Sequence, residues 1–74
     1  MSSNTIYSKQ HKYLVDRLRA ARLAAGLNQE EVAKLLGRTQ SYVSKIESGQ
    51  RRVDVVQLKE FARIYGKQTS YFIP

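Results

Sequence analysis

Apolar residues recur along this chain at spacings of three and four, which place their side chains on one face of an α-helix. This pattern predicts helices at about 9–25, 29–36, 40–48 and 55–65, and a short fifth turn or helix at 70–73. No stretch alternates apolar and polar residues for six positions, so strands are not expected. The residues predicted to face the core are Leu14, Leu18, Ala21, Ala25, Leu27, Val32, Ala33, Leu36, Val43, Ile46, Val55, Leu58, Phe61, Ala62 and Tyr65.

Residues that begin and end helices lie at the boundaries of these stretches. A glycine follows each of the first four, as is usual just past a helix end. Asn28 and Asp54 each precede a Glu or Gln by three residues, a spacing typical of a capping box. Five amphipathic pieces with short connections in 74 residues predict a compact all-α domain over 8–74, preceded by a flexible arm over 1–7.

The composition excludes several classes of function. The chain has no cysteine and one histidine, His11, so disulfides, Cys-based zinc sites and paired-His metal sites are excluded. We expect no catalytic residue, no metal, no cofactor and no enzymatic activity. No apolar run approaches the roughly 20 residues of a membrane span, and the first residues lack a secretory signal. A cytoplasmic protein is therefore expected.

The charge balance points to a polyanionic partner. Lys and Arg number 13 against 6 Asp and Glu, which gives a net charge of +7. Such a surplus on a small body favours nucleic acid first and an anionic membrane second. A membrane-surface role is disfavoured because each helix has only a short apolar stripe.

The second and third helices are joined by only three residues, Gly37, Arg38 and Thr39. So short a link with a glycine cannot reverse the chain into an antiparallel hairpin, and it predicts a helix-turn-helix. The small side chain of Ala33 lies where the two helices would cross. Val43 and Ile46 would then face back toward the second helix.

The opposite side of the third helix carries small polar groups and an ammonium. With Val43 pointing inward, steps of about 100° per residue turn this side toward solvent. Amide, hydroxyl and ammonium groups pair with base edges and phosphates in a DNA major groove. Tyr42 lies on the flank, where it contacts DNA or packs as a half-buried ring. The outward residues are Ser41, Ser44, Lys45 and Ser48, with Gln40 at the edge.

The segment from Leu27 to Gly49, LNQEEVAKLLGRTQSYVSKIESG, resembles the Cro/phage-repressor type of helix-turn-helix, also called XRE-like. The resemblance extends from about Tyr13 through Phe72. It implies a compact five-helix lambda-repressor-like domain that binds double-stranded DNA as a homodimer and acts as a transcriptional regulator, here expected to be a repressor. Many relatives have a proline before the fourth helix; this chain has Asp54 there as a cap instead.

The resemblance also assigns roles to residues. The implied base contacts are Gln40, Ser41, Ser44 and Lys45. Gln29 would contact a phosphate and support Gln40, and Arg22 would form a structural ion pair with Glu47. The full set of expected DNA backbone contacts is Gln29, Arg38, Tyr42, Ser48, Arg51 and Arg52. For Arg51 and Arg52, solvated loop charges are the other interpretation.

Other surfaces carry weaker expectations. Arg17 and Arg19 are expected to face solvent. Phe72 is expected to close the monomer core, although it could also join a dimer surface. The other candidates for that surface are Val53, Val56, Ile64, Tyr71 and Ile73.

Two alternatives to a dedicated regulator remain open. An antitoxin-type module would bind a toxin protein as well as DNA, and the chain shows no separate toxin-binding tail. RNA binding is less favoured because no aromatic stacking platform is evident.

Overall fold

The computed structural model describes residues 8–74, which form four α-helices and a 3₁₀ turn and contain no strand. The helices are α1 (Lys9–Ala24), α2 (Gln29–Leu36), α3 (Gln40–Glu47) and α4 (Val55–Tyr65), and the 3₁₀ turn is Thr69–Phe72. The predicted all-α class is confirmed, with a 3₁₀ turn in place of a fifth α-helix. The arm expected over 1–7 lies outside the described residues, and a single domain over 8–74 stays a prediction.

Each α-helix begins at a polar residue whose side chain accepts a hydrogen bond from a main-chain N–H three residues later. Asn28 and Asp54 form complete capping boxes, in which Glu31 and Gln57 bond back to the cap main chain. Ser8 and Thr39 cap α1 and α3 with single bonds. These bonds satisfy donors that have no acceptor inside the helix.

Two glycines end the helices of the helix-turn-helix. Gly37 has φ 70° and Gly49 has φ 83°, the left-handed conformation that residues with a Cβ rarely adopt. After Gly37 the N–H of Arg38 donates to the carbonyl of Ala33 at 2.8 Å, which turns the chain sharply toward α3. A Cβ at either glycine would meet open space, so the backbone angle, not crowding, requires glycine.

The core lies where all four helices and the 3₁₀ turn meet. Val32 and Ala33 of α2 pack with Val43 and Ile46 of α3, which fixes the helix-turn-helix. Phe72 is 0% exposed, so the 3₁₀ turn closes the core as expected. The core cluster consists of Leu18, Ala21, Val32, Ala33, Tyr42, Val43, Ile46, Leu58, Phe61, Ala62, Tyr65 and Phe72.

The prediction of the core was wrong at two positions. Ala25 lies beyond the last residue of α1, and Val55 is the first residue of α4, where no earlier turn covers it; both are exposed. The buried stripe of α1 also includes Val15 and Arg22, because the guanidinium of Arg22 turns inward to a carboxylate.

Arg17 is half-exposed and contacts two tyrosines. Its Nε donates to the hydroxyl of Tyr13 at 3.0 Å, and its guanidinium carbon lies 4.3 Å from the ring centroid of Tyr71. This contact ties α1 to the 3₁₀ turn. Arg19 is exposed. None of the helices within residues 8–74 is long and apolar enough to cross a membrane.

Candidate nucleic-acid interface

The recognition face of α3 comprises Gln40, Ser41, Ser44 and Lys45, and all four side chains are exposed. The opposite side of the same helix carries Val43 and Ile46, each 0% exposed. Burial of these two residues sets the rotation of α3 about its axis. The polar face therefore lies on the solvent side of α3.

Arg22 and Glu47 lie in contact and join α1 to α3. Arg22 donates through Nε to Oε2 of Glu47 at 2.7 Å and through Nη2 to Oε1 at 3.0 Å. The side chains are only 10% and 5% exposed. The hydrogen bonds to Glu47 raise the pKa of Arg22, with burial opposing this effect. A bidentate pair of this kind fixes both side chains in one plane.

The same carboxylate organises the start of α2. Gln29 donates through Nε2 to Oε1 of Glu47 at 3.1 Å, and Nη1 of Arg22 donates to the carbonyl of Leu27 at 3.0 Å. The support that Gln29 was expected to give to Gln40 is replaced by this bond to Glu47. The amide nitrogen carries a second N–H, so Gln29 keeps a side-chain donor for a phosphate in addition to the main-chain donors of the helix N-terminus.

Two arginines and a tyrosine form a second cluster beside α3, the Tyr42 platform, defined as Arg38, Tyr42 and Arg51. The guanidinium carbons of Arg38 and Arg51 lie 4.6 and 5.0 Å from the ring centroid of Tyr42, within cation–π distance. The ring is parallel to that of Phe61 within 3°, with centroids 6.5 Å apart. Burial raises the pKa of Tyr42, opposed by the two nearby cations.

Sequence reasoning treated these three residues separately and did not find the platform. Spacing along the chain carried no signal for it, because Arg38 lies in the turn before α3 and Arg51 in the loop after α3. The paths of these two connections decide where the guanidinium groups lie. The ring of Tyr42 is 8% exposed and belongs to the core, which matches the packing interpretation.

One groove unites much of the predicted site. Besides the platform it is lined by Gly37, Thr39, Ser41 and Lys45. Arg51 also lines a neighbouring groove, together with Arg52. Ser48 is exposed, and its Oγ donates to the carbonyl of Lys45 at 3.0 Å.

The site therefore combines a neutral polar face with flanking cations. Within residues 8–74, no group of three or more His, Asp or Glu side chains lies close enough to hold a metal ion. Amides, hydroxyls and cations of this kind donate to base edges and phosphate oxygens.

The chain is similar to known helix-turn-helix proteins in sequence and in structure. Residues 14–69 match a family model described as a helix-turn-helix domain. The chain is similar to the structure of an XRE-family-like protein from Pseudomonas syringae pv. tomato str. DC3000, with 43% identity and a TM-score of 0.82, covering 92% of this chain and 83% of that one. Among curated proteins, none matches the chain.

Two further structures show how widely the fold is used. The restriction-modification controller protein C.AhdI from Aeromonas hydrophila is 33% identical, with a TM-score of 0.80, covering 89% of this chain and 100% of that one. Hydroxypropylphosphonic acid epoxidase from S. wedmorenis is 23% identical, with a TM-score of 0.81, covering 90% of this chain but 36% of the enzyme. The last similarity is one of fold alone.

Proposed function

Since this chain belongs to the XRE-like helix-turn-helix family of DNA-binding transcription regulators, we propose that it reads the major groove of duplex DNA with α3 and represses the genes it binds. The observation that carries the proposal is the division of α3 between a fully buried side and an exposed polar face. A helix of about 10–12 Å diameter fits a groove about 12 Å wide.

The recognition face supplies donors and acceptors suited to base edges. Gln40 can bond an adenine through two hydrogen bonds, and Lys45 can reach the acceptors of a guanine. Ser41 and Ser44 can donate or accept, so they can contact several bases. None of the four carries a bulky apolar group that would hold α3 out of the groove.

The cations beside α3 are proposed to contact the DNA backbone. Arg38, Arg51 and Arg52 would pair with phosphates, and the N-terminus of α2 at Gln29 would add main-chain donors. Tyr42 and Ser48 could add hydroxyl contacts, for which Ser48 would exchange its bond to Lys45. About four to six phosphate contacts per protomer would make the affinity fall steeply with salt.

A homodimer is the proposed binding unit. One recognition helix of 8 residues reads too few bases for specificity, and a two-fold dimer doubles the site. Val56 and Ile73 are 63% and 54% exposed and offer apolar area, whereas Phe72 is committed to the core. Val53, Ile64 and Tyr71 are half-buried beside them. Light scattering should show dimer mass with operator duplex, and monomer mass with and without duplex would contradict this part.

Repression is the proposed effect because occupancy of a promoter is sufficient to exclude polymerase. Neither a catalytic group nor a cofactor is required for this role. Since its target is chromosomal DNA, the protein would act in the cytoplasm at the nucleoid. A reporter driven by a promoter that contains the bound sequence should lose expression when the chain is produced.

The decisive experiment is selection of duplexes from a random pool by the full chain, followed by footprinting of the winners. The expected result is a two-fold symmetric motif protected on the major-groove side. A pool that gains no common motif after repeated rounds would contradict sequence-specific binding. Selection with a chain carrying Ser41→Ala and Ser44→Ala is the matched control, since it should relax the motif while leaving the core intact.

A further inference from the structure

We propose that Tyr42 is a positioning residue, which holds the guanidinium groups of Arg38 and Arg51 in place for DNA phosphates before DNA arrives. The inference rests on the proposed function and deepens it. The ring of Tyr42 would then support DNA binding through the two arginines, in addition to any direct contact of its own with DNA.

The ring of Tyr42 is itself held firmly. It is 8% exposed and lies parallel to the ring of Phe61 in the core. A ring packed in this way presents its negative face in a defined direction. A cation attracted to that face is therefore held at a defined place relative to α3.

The two arginines are anchored at both ends. The main-chain N–H of Arg38 donates to the carbonyl of Ala33 at 2.8 Å, and that of Arg51 donates to the carbonyl of Lys45 at 3.2 Å. Their guanidinium carbons lie 4.6 and 5.0 Å from the centroid of the Tyr42 ring. Only the aliphatic stem between the two anchors stays free, so little side-chain entropy is left to lose on binding.

The guanidinium groups keep their hydrogen-bond donors available. The guanidinium groups of Arg38 and Arg51 form no hydrogen bond or ion pair with any residue in the range 8–74. A guanidinium stacked on a ring interacts with the π-face through its own flat face. Its N–H groups point outward in the guanidinium plane, where they can donate to an anion. Two unneutralised cations beside one ring repel each other, and a phosphate relieves that repulsion.

The platform also joins two separate loops. Arg38 precedes α3 and Arg51 follows it, so one ring sets the positions of cations at both ends of the recognition helix. Arg17 provides a contrast, because it lies over two tyrosine rings but already donates to the hydroxyl of Tyr13. That cluster packs α1 against the 3₁₀ turn.

The test measures affinity for the selected duplex and for an unrelated duplex over a range of salt concentrations, using the full chain. Tyr42→Phe retains the ring and removes only the hydroxyl, so it measures any direct contact of that hydroxyl with DNA and is the reference for loss of the ring. Tyr42→Leu should weaken binding to both duplexes about tenfold, because the two arginine side chains then lose conformational entropy when DNA binds. The slope of log affinity against log salt should stay unchanged, because both cations still reach phosphates.

A double-mutant cycle separates positioning from general damage. Deleting both cations by Arg38→Ala and Arg51→Ala should weaken binding and reduce the salt slope by about two. In that background Tyr42→Leu and Tyr42→Phe should bind DNA equally well, because the ring then has no cation to hold. Tyr13→Leu is the matched control, since it removes a ring from the Arg17 cluster and should leave DNA affinity unchanged.

Graded fluorination of phenylalanine at position 42 provides a version of the test that does not depend on the folding of Tyr42→Leu. Fluorine keeps the shape of the ring but weakens its negative face, so the affinity should fall with each added fluorine. In NMR spectra, the ring-current shifts of the Arg38 and Arg51 side-chain protons should diminish in parallel.

The outcomes distinguish this inference from the proposed function. If wild type binds duplex and the fluorinated variants bind it equally well, the positioning role is overturned and DNA binding stands. An increase in affinity on removal of the ring face would also overturn it, because the ring would then be competing with DNA for the cations. If wild type binds no duplex at all, the proposed function fails and the inference fails with it.

Discussion

Glu47 of α3 accepts two hydrogen bonds from the guanidinium of Arg22 in α1, at 2.7 and 3.0 Å. The same carboxylate accepts from Gln29 at the first residue of α2. One buried anion therefore fixes the end of the recognition helix against the two helices before it. The orientation of the exposed polar face of α3 depends on this contact as well as on apolar packing.

Removal of one partner of the Arg22–Glu47 ion pair should lower the free energy of unfolding. Arg22→Met leaves the carboxylate of Glu47 buried without its cation, and we expect the free energy of unfolding to fall by about 3 kcal/mol. Urea denaturation followed by circular dichroism measures the change. Arg22→Met with Glu47→Leu removes both charges and should lose less than the single variant. A double variant less stable than Arg22→Met alone would show that the pair stabilises the fold beyond the cost of an orphaned charge.

Tyr65 should make the protein sensitive to alkali. Burial raises the pKa of its hydroxyl above the ordinary value of 10.0, with a further increase from the charge of Glu47 and an opposing effect of Arg22. The unfolded chain therefore loses this proton at a lower pH than the folded chain. The free energy of unfolding is unaffected by this proton below pH 10.0, and it decreases as the pH rises from there toward the pKa of Tyr65 in the folded protein. Tyr65→Phe should flatten the decline in stability above that pH.

The same substitution should raise stability at neutral pH. The hydroxyl of Tyr65 is buried, and no residue in the described range forms a hydrogen bond with it. Since a buried polar group without a partner costs about 1–3 kcal/mol, Tyr65→Phe should increase the free energy of unfolding by about 1 kcal/mol. Phe61→Leu is the control for loss of aromatic packing and should decrease it. A destabilised Tyr65→Phe would show that the hydroxyl has a partner, such as a bound water molecule.

Gly37 should resist replacement for reasons of backbone angle alone. Gly37→Ala imposes a Cβ on φ 70°, and we expect a loss of about 1–2 kcal/mol although the Cβ meets open space. Gly37→Asn should lose less, because asparagine tolerates the left-handed region better. Thermal unfolding of both variants compares them directly. Equal losses would point to a steric cause instead.

Gln40 should contribute to sequence choice more than to general affinity. Gln40→Ala is expected to cost about 1–3 kcal/mol at particular base pairs of the selected site and little on unrelated duplexes. Competition binding against every single-base variant of the site measures this pattern. An unchanged preference at every position would remove Gln40 from the base-reading set.

Arg52 should contribute to affinity without selecting sequence. Arg52→Ala is expected to weaken binding to all duplexes similarly and to reduce the salt slope by about one. Arg19→Ala removes the same charge from an exposed position on α1 and is the matched control. If both variants weaken binding equally, the effect arises from net charge and not from a contact of Arg52.

The helices of this protein follow from interactions between residues close together in the chain. The bounds of α2 and α4 were predicted to the residue, because Asn28, Asp54, Gly37 and Gly66 act through bonds to their own neighbours in the chain. The outward face of α3 was also predictable, since the burial of Val43 and Ile46 follows from helical spacing. The resemblance to a known family indicated the ion pair of Arg22 with Glu47.

Contacts between residues from distant segments depend on how the helices and loops pack together, and the sequence pattern did not predict them. The tertiary structure brought Arg51 to the ring of Tyr42, and it directed Gln29 to Glu47 and not to Gln40. It also left Val55 exposed despite its apolar side chain. Local patterns cannot fix these contacts, because the path of a loop and the packing of several helices together set them. The groups that hold the site in place are therefore the ones that spacing along the chain does not reveal.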